Sequence, residues 1–210
     1  MISLSEILHT IAQALMIPCL IILIILMAGA VWQIGDIVVE YIAERRKHKC
    51  NVPQLLRDVH AAGADGLAEL IENSGLLRRQ KKALLELAES RGLPKDTLTA
   101  LAERLLATEE ARNARTTSIT DMIAKLGPMF GLLGTLIPLG PGIVALGQGD
   151  TVTLSESMNV AFDTTIAGVI SAAVASVISH IRKRWYNDDM VSLETLMEAV
   201  LEEVTSDVEE

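Results

Sequence analysis

Residues 126–146 read LGPMFGLLGTLIPLGPGIVAL, and not one of them is Asp, Glu, Lys or Arg. A helix needs roughly 20 consecutive apolar residues to cross the hydrocarbon core of a bilayer. This run is long enough, and two further stretches match it. Residues 7–35 carry no acid, Lys or Arg and a single histidine, His9; residues 158–181 (MNVAFDTTIAGVISAAVASVISHI) have Asp163 as their only carboxylate and His180 near the end. The composition agrees: 50% of the residues are hydrophobic but only 3% aromatic, and the mean hydropathy is +0.37. The apolar content is aliphatic and concentrated. The expected fold class is therefore all-α: an integral membrane protein with three transmembrane helices and a cytoplasmic helical domain.

The boundaries follow from where the apolar runs stop. Span 1 is expected at 7–40, span 2 at 126–147 and span 3 at 152–181. The cytoplasmic helical domain is expected to combine the insertion at 41–125 with a C-terminal helix and tail at 182–210. The first stretch is read as a retained anchor, because a signal peptide needs a basic start and an apolar core of about 7–15 residues; here no Lys or Arg precedes Arg45.

The cations set the orientation, since Lys and Arg near a span collect on the cytoplasmic side. Of the 18 Lys and Arg residues, all fall between Arg45 and Lys125 or in the triplet Arg182-Lys183-Arg184. The loop at 147–157 and the first eight residues hold only Glu6, Asp150 and Glu156. This predicts an N-terminus outside, a C-terminus in the cytoplasm and a cell (inner/plasma) membrane location. The basic runs at 45–49 and 182–184 are expected to lie at lipid headgroups. Without aromatics among them to stack bases, nucleic acid is not an expected partner.

Within 41–125 the spacing of leucines predicts helices. Asn51 and Pro53 open one that Gly63 and Gly66 should break, and Asn73-Ser74-Gly75 ends it. A second is expected over 76–91. Pro94 opens a third, with no further Pro or Gly before Gly127, so one rod should run from the cytoplasm into span 2. Leu193, Leu196, Val200, Leu201 and Val204 form a stripe that predicts a tail helix. Cys19 and Cys50 fall on different sides of this topology, so no disulfide is expected. No metal-ligand spacing, phosphate loop or nucleophile motif appears, which makes cofactors none and an enzyme the least expected class.

Spans 2 and 3 carry the chemistry. Gly127, Gly131 and Gly134 recur at three to four residues and offer a small surface for close helix packing. Thr135 adds a hydroxyl beside them. Pro138 and Pro141, with Gly140 and Gly142, should bend or loosen the outer half of this helix and leave carbonyls in need of partners. In the third span Asp163 stands in the apolar zone, where a carboxylate costs several kcal/mol unless it is neutralised, paired or hydrated. Two roles fit it: proton or ion handling, or a protonated acid that bonds a neighbouring helix. Thr164 and Thr165 supply hydroxyls next to it.

Gly131-Leu132-Leu133-Gly134-Thr135 and Thr165-Ile166-Ala167-Gly168 resemble the GLLGT and TxxG signatures of the MotA/TolQ/ExbB proton-channel family, and the three-span layout is similar to its TolQ/ExbB branch. The resemblance implies a homo-oligomeric ring, a pentamer, whose second and third spans surround the single transmembrane helix of an ExbD/TolR-like partner bearing an intramembrane Asp. It implies that Thr135 and Thr165 face the pore and help pass protons to that acid; Asp163 and Thr164, the acid and hydroxyl beside them, are expected in the same ion pathway, and Gly168 with the other glycines in helix packing. Proton flow then becomes mechanical work on the envelope. Two points depart from the pattern: Val160 stands where the family carries a Glu some five residues before its Thr, and Asp163 and the two prolines are unusual for it. The alternative from another class is a non-conducting membrane scaffold that recruits partners through its cytoplasmic helices.

Overall fold

The computed structural model describes residues 4–45 and 51–209, and these are helical almost throughout, with no strand among the described residues. Helix α1 (Leu4–Ala14) and helix α2 (Met16–Glu40) are nearly one element. Pro18 has no N–H to offer the carbonyl of Ala14, which loosens the chain at Leu15. Bonds from Leu15 N to Ile11 O (3.1 Å) and from Cys19 N to Leu15 O (3.0 Å) carry the ladder across the gap. A π-helical turn, Tyr41–Arg45, follows α2. The basic run and Cys50 lie outside the described residues beyond Arg45.

Helix α3 (Val52–Asn73) starts at the Asn51–Pro53 signal and is interrupted where expected: Gly63 has φ 62 and ψ 176, a conformation that glycine adopts without the clash a Cβ brings. Helix α4 (Arg78–Glu89) begins two residues later than the leucine pattern suggests. Leu77 instead caps it, its N–H donating to the Gln80 side-chain oxygen at 3.2 Å. Gly92, at φ 98, turns the chain into helix α5 (Lys95–Gly147), which stays helical through Pro128, Pro138 and Pro141. Gly149, at φ 79, makes the next turn, and helix α6 runs from Thr151 to Glu209. The third apolar stretch and the tail stripe, read as two elements in the sequence, are thus one continuous helix. Three stretches, Glu6–Ala43, Lys95–Gly147 and Thr151–Ser206, are long and apolar enough to cross a membrane.

Two compact units divide the chain. One comprises the residues up to Ile37 together with Thr117–Ile181; the other comprises Val38–Thr116 and the residues from Arg182 onward. The second unit has a single leucine-rich core. Leu55, Val59, Leu67 and Ile71 of α3, Leu84 and Leu87 of α4, Leu98 of α5, and Leu193, Leu196, Met197 and Val200 of α6 are all buried in one cluster. Polar ties fix the edges: Gln80 donates to the Asp189 carbonyl at 3.0 Å and Lys81 to that of Glu72 at 2.7 Å. Near the start of this unit Arg182, only 3% exposed, donates to Glu40 at 3.0 Å, and Tyr41 stacks on Trp185. Tyr186 is pushed well above the usual phenol range, first by burial and then by the charge of Glu40, whose carboxylate accepts its hydroxyl.

Candidate functional site

The first unit is built differently, and its centre is the antiparallel contact of α5 with α6. A Cβ placed on Gly127 would lie 2.6 Å from the Gly168 carbonyl oxygen and 3.0 Å from Ala172 Cβ. One on Gly134 would lie 2.5 Å from Thr164 Cβ, and one on Gly168 would lie 2.5 Å from the Gly127 oxygen and 2.9 Å from Gly131 Cα. Gly127, Gly131 and Gly168 therefore sit where backbone meets backbone, and Gly134 sits where the Thr164 side chain packs. Their spacing puts them on one face, and the absence of side chains lets the two helices approach closely.

That contact fixes where the neighbouring hydroxyls point. Successive helical residues turn by roughly 100°. Thr135 follows Gly134 and Thr165 follows Thr164, and in two antiparallel helices facing each other one step along either chain turns toward the same side of the pair. Thr135 and Thr165 consequently share a flank, and both are half-buried in the protomer. Each hydroxyl donates to its own helix, Thr135 to the Leu132 carbonyl at 2.7 Å and Thr165 to that of Ala161 at 2.9 Å. A hydroxyl has one proton and two lone pairs. With the proton bound to its own backbone, each oxygen presents acceptor capacity to the flank, suited to a water, a hydronium or a metal cation.

Asp163 and Thr164 are not brought to this flank. Thr164 is buried against Gly134, its hydroxyl shared between the carbonyls of Val160 and Ala161, both at 2.9 Å. Asp163 precedes Thr164 and so turns to the opposite side, where it is exposed in the protomer. That opposite side is also where α2 packs. Cys19 donates to the Phe130 carbonyl at 3.4 Å, and Leu26 and Ala30 meet Ile123 and Ala175. Phe130 precedes Gly131 as Asp163 precedes Thr164. The sequence grouped Asp163 with the threonines because they are neighbours in the chain; helical geometry separates them.

Polar groups that the sequence reading passed over lie at the other end of this unit. Ser179 of α6 donates to the Asp121 carboxylate of α5 at 2.5 Å. Thr120 is fully buried and Gln33 is 6% exposed, and the Thr120 hydroxyl and the Gln33 Oε1 have no hydrogen-bond partner. Asp121 falls before the charge-free run that begins at Leu126, so nothing in the sequence marks it as part of span 2. Among the described residues no group of three or more His, Cys, Asp or Glu side chains is placed to hold a metal.

Three helices of bilayer length, two of them locked through glycine with hydroxyls on a common flank, define a multi-pass membrane protein. A family model for the MotA/TolQ/ExbB proton channel family matches residues 70–195, more than half of the chain, and the chain belongs to that family. It is a family of ion channels rather than of enzymes. No individual curated protein matches the chain.

Proposed function

We propose that this protein is the ion-channel subunit of a motor driven by the proton-motive force. Identical copies, five by family analogy, form a ring in the inner membrane around the transmembrane helix of an ExbD/TolR-like partner, whose intramembrane Asp receives protons. The N-terminus lies outside and the helical insertion and tail lie in the cytoplasm. The observation that carries the reading is the shared flank of Thr135 and Thr165, two acceptor hydroxyls side by side on the glycine-locked pair. Five copies of that pair turned inward make a belt of hydroxyls at mid-membrane, against which a partner carboxylate can be loaded and unloaded.

Asp163, on the side where α2 packs, has a different part in this reading. Its carboxylate lies away from the belt, and contact with a neighbouring copy or with water must offset the cost of an acid at that depth. Thr164 serves helix packing. The test is proton flux in liposomes containing the complex purified from its native membrane through a tag on this chain. Thr165→Val, nearly equal in volume, should lower partner-dependent flux by roughly a hundredfold while the particle mass stays unchanged. Undiminished flux in both Thr165→Val and Thr135→Val would dismiss the hydroxyl belt.

A further inference from the structure

We propose that Asp121, held by Ser179, is a second proton-exchanging station of the ion pathway, at the end of the α5–α6 flank nearest the helical insertion. This inference rests on the reading of that flank as the conducting surface. Seven residues make nearly two full helical turns, so positions seven apart lie almost in line. Stepping by seven from Thr135 along α5 gives Pro128 and then Asp121; stepping by seven from Thr165 along α6 gives Ala172 and then Ser179. Because the helices are antiparallel, the two series advance together. The first rung is the threonine pair and the third is Asp121 with Ser179, which are in hydrogen-bond contact. That contact is independent support for the register, since it joins the two residues the stepping predicts.

The rungs are about 21 Å apart along the axis, too far for one proton transfer, and what lies between them is suited to water. Pro128 is exposed in the protomer and has no polar side chain to block a column, while Ala172 is tucked into the α5–α6 contact against Gly127. Pro128 has no N–H for the carbonyl of Ala124, which leaves an acceptor on the same flank. Ser176, eleven residues after Thr165 and nearly in line with it, is exposed in the protomer.

The level of Asp121 is itself polar across all three helices. One turn away, Ala30, Ile123 and Ala175 form an apolar layer. The next layer is Gln33, Thr120 and Ser179, all buried, and the Gln33 and Thr120 oxygens lack partners. Buried orphans of this kind are where ordered waters sit, typically with about three partners each. A carboxylate beside such a layer exchanges protons with water: it accepts one from a hydronium at its column face and releases it to water at the other, with no net change in the chain.

The experiment uses the same liposomes and purified complex, with Thr165→Val as the reference. Asp121→Asn should lower proton flux roughly a hundredfold, Asp121→Glu should restore most of it, and Ser179→Ala should lower it a few-fold, all with the particle mass unchanged. Loss in Thr165→Val but normal flux in Asp121→Asn overturns this station and leaves the threonine belt standing. Normal flux in both removes the conducting flank and the station with it. Equal loss in Asp121→Asn and Asp121→Glu makes Asp121 a packing residue and overturns the proposal. If Asp121→Asn does not assemble, Ser179→Ala decides: normal flux there overturns it.

Discussion

The two units hold their helices together by opposite means. In one, α3, α4, α5 and α6 bury Leu67, Leu84, Leu87, Leu98, Leu196 and Val200 in a single apolar cluster. In the other, α5 meets α6 through Gly127, Gly131, Gly134 and Gly168, while Leu132, Leu136, Ile166, Val169 and Ile170 point outward and are exposed. On the proposed topology, with the first unit in the membrane and the second outside it, the solvent explains the difference. In water, removing apolar surface is the main driving force, worth about 25 cal/mol per Å². In lipid a leucine gains nothing by leaving the tails, so close backbone contact takes over.

The largest effect should come from filling that backbone contact. Gly168→Ala puts a Cβ against the rigid Gly127 carbonyl, so α5 and α6 must separate, and size-exclusion of the extracted protein should show loss of the native particle. Gly140→Ala, which meets nothing within 4 Å, is the matched control and should leave it intact. Next in size is Arg182→Gln. It leaves Glu40 half-buried beside Tyr186 without its cation, and removing one partner of a buried ion pair costs about 3–5 kcal/mol, read as a lower thermal midpoint in detergent. Leu87→Ala should cost about 2–5 kcal/mol by leaving a cavity in the leucine-rich cluster. The same truncation at outward-facing Leu132 should change the midpoint little, and an equal loss at both positions would erase the contrast between the units.

The smallest effect is expected at the turn into α6. Asp150 accepts from the Thr153 hydroxyl at 2.6 Å and from the Thr153 and Val152 N–H groups at 3.1 and 3.2 Å. The Thr153 hydroxyl first, and then these N–H groups, hold its carboxyl below the ordinary carboxylate value. A lowered folded-state value means the cap's contribution is present above the unfolded carboxylate range and is lost as pH falls through the folded value. Asp150→Ala should therefore lower the midpoint slightly at neutral pH, and the gap from wild type should close in acid. A gap independent of pH would mean that the charge is not what caps the helix.

Much of this architecture was legible in the chain. Bilayer-length runs, Gly63 as a break, Pro94 as a start and the glycine spacing of span 2 are local signals, each set by a residue's own backbone preferences or size. The continuity of α6 was not: Arg182-Lys183-Arg184 ends the apolar run, which looks like a boundary although the helix passes through it. Nor was the sorting of Asp163 from Thr165. Which side of a helix a residue takes depends on the partner helix, and only the α5–α6 contact supplies that. Asp121 was not legible as part of span 2 either, because it and Lys125 precede the charge-free run that begins at Leu126.

The account turns on the Thr135–Thr165 flank of the α5–α6 pair being wet while Leu133 and Ile166, which point away from the pair, meet lipid. Substituted-cysteine labelling in the intact complex, in a background with Cys19→Ser and Cys50→Ser, tests this with a membrane-impermeant thiol reagent. Thr135→Cys and Thr165→Cys are expected to label, and Leu133→Cys and Ile166→Cys to stay unreacted. Labelling at Leu133 and Ile166 with protection at both threonine positions would contradict it.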